Sequence, residues 1–157
     1  MLHARHGMTL VELLAAVTLL AILASAVLPF TRMTVQRTKE LELKRDLRTI
    51  RTAIDEYKKN YDKAVEQKKI IASSNLSGYP KTLELLVEGD DFGGLYQVKQ
   101  KFLRRIPRDP MNRDNDTWGL RAYSDEPGSR VWGKDDVYDI YSLSEGVALD
   151  GSRYKDW

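Results

Sequence analysis

No cysteine occurs in the 157 residues, so disulfides and thiolate metal sites are excluded. Histidine is nearly as scarce: His3 and His6 are the only two, and both precede the first long apolar run. Removal of that leader would take with it every Ser–His or Cys–His nucleophile system and every His-ligated zinc site. An excess of one charge is also lacking. Lys and Arg number 25 against 23 Asp and Glu, a net charge of +2, so no global field draws the chain to nucleic acid. There is no glycine-rich phosphate loop. What is left for catalysis is carboxylate chemistry. The paired acids Asp90–Asp91 and Asp135–Asp136 are adjacent, which in a strand sends them to opposite faces. No enzyme activity is expected.

What the chain does have is Gly7 to Phe30, GMTLVELLAAVTLLAILASAVLPF, with Glu12 as its one charge. Leu13 to Phe30 is uncharged throughout, close to the roughly 20 residues a helix needs to cross a bilayer. Three readings are open: a secretory signal peptide with Ala24-Ser25-Ala26 as its small-residue cleavage site, a plain membrane anchor, or a short leader cut after Gly7. Glu12 separates them. A carboxylate inside an apolar span costs about 2.5–3.5 kcal/mol at the helix centre, and neither a signal core nor an anchor gains from it. A cut after Gly7 creates an ammonium on Met8, four residues from Glu12 and on the same helix face. Breaking such a buried pair leaves an uncompensated charge, so the two groups belong together.

Gly7-Met8-Thr9-Leu10-Val11-Glu12 and the apolar run after it resemble the N-terminal signature of type IV pilins and type II secretion pseudopilins. The resemblance implies that a prepilin peptidase cuts between Gly7 and Met8 and methylates the new amino terminus. It implies that Glu12 serves assembly by pairing with the N-terminus of a neighbouring subunit. Pro29 stands where the family places a helix-bending proline. A kink is expected there in any case, because proline lacks an N–H and clashes with the carbonyl of Ser25.

Beyond Pro29 the spacing predicts a helix over 31–69. Leu43, Leu47, Ile50, Ile54, Tyr57, Tyr61 and Val65 form a one-faced apolar stripe at helical period. Glu40–Lys44 and Asp55–Lys59 have the spacing of i,i+4 pairs. The basic side chains of the other face alternate with acids, which reads as a solvated or subunit-facing surface; no nucleic acid is expected. A short helix over 82–88 is expected, with Thr82 as N-cap and Leu83, Leu86 and Val87 inward. Gly89, Gly93 and Gly94 predict a flexible connection, and Lys101 to Asp109 a basic surface loop held by Pro107 and Pro110. Trp118 to Tyr123, Val131-Trp132 and Val137 to Leu143 read as short strands, with Asp125-Glu-Pro-Gly128 as a turn. The fold class expected is α+β. A long N-terminal helix, membrane-spanning in its first half and kinked near Pro29, packs its second half on a small antiparallel sheet. The segments are a leader (1–7), an apolar helix (8–30) and a head (31–157).

Tyr79-Pro80, Phe102 to Pro110, Trp118-Gly-Leu and Asp136 to Leu143 resemble the soluble domain of the major, or G-type, pseudopilin. The function this implies is that of a structural subunit polymerised into a periplasmic filament that helps export folded proteins. The implied location is the inner membrane, single-pass, with the C-terminal domain in the periplasm. That orientation comes from the resemblance, since Arg32, Arg37 and Lys39 outnumber Arg5 and the positive-inside rule favours the reverse. Implied partners are further copies in a homo-polymer, prepilin peptidase, an inner-membrane assembly platform, minor pseudopilins and a secretin. G-type pseudopilins hold calcium after the last strand, which here singles out Glu145, Asp150 and the carbonyl of Leu143. This loop lacks the family's aspartate-rich run, and Asp150-Gly151 also reads as a plain turn pinned by Tyr154 and Trp157. Two alternatives stand: a type IV pilin or minor pseudopilin serving adhesion, motility or DNA uptake, and a secreted binding domain cut near Ala26.

Overall fold

A helix, α1, runs from Leu10 to Glu66. The computed structural model describes residues 9–71, 77–112 and 117–157, and within 26–30 the backbone alone. α1 is continuous through Pro29, where a kink is expected, and the Pro29 side chain lies outside the described residues. Contacts divide the chain into two units, Met1–Thr38 and Lys39–Trp157.

The first unit holds the apolar start of α1. Its helix is capped by Thr9, whose Oγ1 accepts the Glu12 N–H at 3.2 Å while its carbonyl accepts that of Leu13 at 3.1 Å. Thr9-x-x-Glu12 is the spacing of a capping box, in which the residue three places in can reach back to the cap.

In the second unit α1 is the spine of the core. Leu43, Leu47, Ile50, Ile54, Tyr57 and Ala64 are buried. The stripe ends on Ala64 and not on Val65, which is half-buried, because Ala64 continues the alternating four-three spacing and Val65 departs from it. The helix stops at Glu66, three residues short of the expected end. Lys68 adopts a left-handed φ of 56°, with Lys68 N–H on the Val65 carbonyl (2.9 Å) and Lys69 N–H on that of Ala64 (2.8 Å). That is a Schellman closure with lysine in the place glycine usually takes. Glu40 and Lys44 both reach the C-terminal tail. Glu40 Oε1 accepts the Leu149 N–H and the Tyr154 hydroxyl, both at 2.9 Å, and Lys44 lies 4.1 Å from the centre of the Trp157 ring.

The helix α2 is confined to Glu84–Glu88. Thr82 does not cap it; Leu83 stands at the N-cap position and makes no side-chain cap. Leu83 and Leu86 are buried as expected, while Val87 is half-buried. The connection read as flexible is packed instead. Phe92, fully buried, lies 4.9 Å from the Tyr57 ring, and Asp90 holds it in place. Asp90 Oδ1 accepts the Phe92 N–H and Oδ2 accepts the Tyr57 hydroxyl, each at 2.8 Å. This anchoring keeps Phe92 at a φ of 52°, a region bulky residues rarely occupy.

The sheet has two antiparallel strands, β1 (Gly119–Arg121) and β2 (Asp139–Tyr141), with Leu120 opposite Ile140. Both are shorter than expected, and at β1 the cause is side-chain competition for backbone donors. Asp125 Oδ2 accepts the Ala122 N–H at 2.7 Å, and Asp136 Oδ1 accepts that of Tyr123 at 2.8 Å. Val131-Trp132 forms no strand; the Trp132 indole donates to the Asp136 carbonyl at 2.6 Å. The turn after Asp125 forms as expected, with Gly128 at a φ of 86° and Ser129 N–H on the Glu126 carbonyl. Arg51 joins helix, sheet and tail: it donates to Asp139 Oδ1 (2.7 Å), the Ile140 carbonyl (3.0 Å) and the Trp157 carbonyl (2.9 Å). The architecture is α+β and pilin-like, a long N-terminal helix with a small antiparallel sheet.

Candidate functional site

Gly7 and Met8 lie outside the described residues. Glu12, in the first turn of α1, is exposed. Its backbone N–H is spoken for by Thr9, so the carboxylate sits at the positive end of the helix dipole, where negative charge is favoured. Beyond it the helix surface is apolar on every side. Nine large apolar side chains between Leu10 and Leu23 are 53–83% exposed. Thr18 Oγ1 donates to the Leu14 and Ala15 carbonyls, and Ser25 Oγ donates to that of Ile22 at 2.7 Å. These hydroxyls therefore bring no unpaired donor into an apolar environment. An exposed apolar surface of this extent marks an interaction site. Among the described residues no helix is long and apolar enough to cross a membrane; Ala26 to Phe30, which continue the apolar run, fall outside the described side chains.

The loop after β2 places the expected calcium ligands differently from a metal cage. Glu145 Oε2 is ion-paired to the ammonium of Lys155, a lysine only 8% exposed, and this pairing holds the Glu145 carboxyl below its usual range. Asp150 Oδ1 accepts both the N–H (2.9 Å) and the hydroxyl (2.6 Å) of Ser152, which lowers its carboxyl as well. Leu143 is exposed. Calcium needs six to eight oxygens. Here one carboxylate is met by an ammonium and the other closes a turn, and among the described residues no three acidic, His or Cys side chains cluster for a metal. This donor set does not fit a calcium ion as it stands.

The paired acids serve as loop staples. Asp91 Oδ1 accepts the Gly93 N–H, Asp135 the Ser124 hydroxyl, and buried Asp136 both the Tyr123 N–H and the Ser77 hydroxyl. Asp109, also buried, accepts the Met111 N–H at 2.8 Å and the Ser142 hydroxyl at 2.5 Å. These attachments were not anticipated from the sequence. The available signal was an Asp two residues before a turn amide, as in Asp109-Pro-Met111, which reads as an Asx turn.

Residues 2–28 match a family model described as a prokaryotic N-terminal methylation motif. No curated protein and no solved structure matches the chain. The matched segment contains Gly7, Met8 and Glu12 and the apolar start of α1.

Proposed function

We propose that this chain is a structural subunit of a type II secretion pseudopilus. It is cut between Gly7 and Met8 by prepilin peptidase, methylated on Met8, held in the inner membrane with its head in the periplasm, and polymerised into a filament. The observation that carries this reading is the N-terminal methylation motif over residues 2–28 on a helix whose apolar side chains are exposed. Polymerisation replaces lipid by neighbouring apolar helices, so burial nearly cancels and register must come from a polar contact. Glu12 supplies it by pairing with the Met8 ammonium of the adjacent copy. Export of folded proteins through a secretin, with minor pseudopilins and an assembly platform as partners, is the specific role proposed.

Two experiments test this. The N-terminal mass of the mature protein is expected to correspond to methylated Met8; a start at Val27 would sink the reading and restore the secreted domain. Substitutions at Glu12 then separate capping from pairing, because glutamine keeps the capping-box geometry and loses the charge. Glu12→Gln and Glu12→Ala are both expected to be processed and to assemble poorly. Normal filament yield from Glu12→Gln would assign Glu12 to the helix cap alone.

A further inference from the structure

Three tyrosines from separate parts of the second unit share one surface. Tyr79 and Tyr123 are stacked with centres 5.7 Å apart, and Tyr138 meets them edge-on at 5.1 and 5.4 Å. Tyr123 is 63% and Tyr138 45% exposed, so the group is open to solvent. Its surroundings lean acidic. Burial, Tyr138, Asp55, Tyr123 and Asp62 together raise the Tyr79 phenol above its ordinary value. Asp135 is exposed beside Ser124. Lys58 lies 5.9 Å from the Tyr79 ring centre, but its ammonium is paired with Asp62.

The opposite flank of α1 carries the reverse chemistry. Lys101, Arg104 and Arg105 are exposed on a loop held rigidly by its backbone. The Leu86 carbonyl accepts the N–H groups of Phe102 and Leu103, both at 2.9 Å, and the Trp118 indole donates to the Pro107 carbonyl at 2.9 Å. This loop borders Thr49, Ala53 and Glu56. At about 100° of rotation per residue, Asp55, Lys58 and Asp62 project roughly 100° to one side of the buried stripe. Thr49, Ala53 and Glu56 project by a similar angle to the other side. The two surfaces are also staggered along α1 by about six residues, or roughly 9 Å.

We propose that the tyrosine face of Tyr79, Tyr123 and Tyr138 receives the basic loop 101–108 of a second copy of this chain. Guanidinium groups stack on tyrosine faces and are attracted to the ring quadrupole, and the neighbouring carboxylates favour the same charge. Because donor and acceptor surfaces differ and lie on opposite flanks, the contact is heterologous. Repetition of a heterologous contact with an axial stagger cannot close, and it generates an open filament. The inference rests on the polymerisation reading and adds to it a head-to-head contact independent of Glu12 and the apolar helix.

The absence of cysteine allows a clean test on the full chain in membranes. Arg104→Cys and Tyr123→Cys combined in one chain are expected to give, on oxidation, a ladder of covalent dimers, trimers and longer species. Each single variant should give none. Lys101→Glu with Arg104→Glu is expected to cut sedimentable polymer at least tenfold without changing head stability. The proposal is overturned if the double-cysteine chain forms filaments yet no ladder, which leaves polymerisation through α1 intact. It is equally overturned if Tyr123→Cys alone dimerises, or if the cysteines capture a different protein with no ladder. Loss of filaments from the unmodified chain would instead count against the function proposed above.

Discussion

Arg51 makes three hydrogen bonds with one guanidinium, to a carboxylate and to two backbone carbonyls. A lysine keeps the charge but not the fork, so Arg51→Lys is expected to cost about 1–2 kcal/mol, read as a lower denaturation midpoint. A double-mutant cycle with Asp139→Asn should show strong coupling. Asp46 behaves in the other direction. Burial first, then Glu42, raise its carboxyl above the ordinary value of 3.8, so the folded state disfavours its charge. A raised folded value means the penalty is present at neutral pH and fades as pH falls through that value, vanishing below the unfolded one. Asp46→Asn should therefore stabilise the protein at pH 7, by less than about 1 kcal/mol because the site is partly solvated, and the advantage should disappear by about pH 3.5 in pH-dependent melts. Neither residue stood out in the sequence. Asp46 and Arg51 look like any charges on a solvated helix face until the loops that cover them are in place.

Among the elements, β1 and β2 are held by more than their ladder. Gly119 faces Tyr141, and a Cβ at Gly119 would come within 2.4 Å of the Tyr141 ring, whose face also lies 4.5 Å from the Arg121 guanidinium. Gly119→Ala is expected to displace that ring and cost about 1–3 kcal/mol, measurable as a lower midpoint together with a shift in tyrosine fluorescence. The α1 core face was legible because one side of a helix must be apolar over many turns, and six stripe positions repeat that demand. Its end was less so, since the closing residue is Lys68 and not glycine. The strands were legible in kind and overdrawn in length. Alternation marks which side chains face inward, but not which backbone N–H groups a nearby carboxylate will take. Phe92 was missed because glycines on either side of it resemble a free connection, while its burial depends on Asp90 and Tyr57.

For the whole molecule, the exposed apolar start of α1 and the methylation motif were readable from residues 7–30 alone, since they concern one continuous segment. The C-terminal loop was not, because its charges are settled by a partner ten residues away. With Lys155 set against Glu145, added calcium or chelator is expected to leave the thermal midpoint unmoved, whereas Lys155→Met should lower it. A calcium-dependent rise would show that the loop opens to admit the ion.

The attachment of the tail to Glu40 has a kinetic consequence. Tyr154 and Glu40 are separated by 114 residues and Arg51 and Trp157 by 106, while the ladder between the strands is three residue pairs. Little local pairing is available to bring such distant segments together, and loop closure must be met before those contacts contribute. Contacts between segments so far apart in sequence form late, after the local helix. The head is thus expected to remain incomplete until its last fifteen residues reach α1, leaving a window after synthesis in which Leu43, Leu47 and Ile50 are uncovered and open to a chaperone.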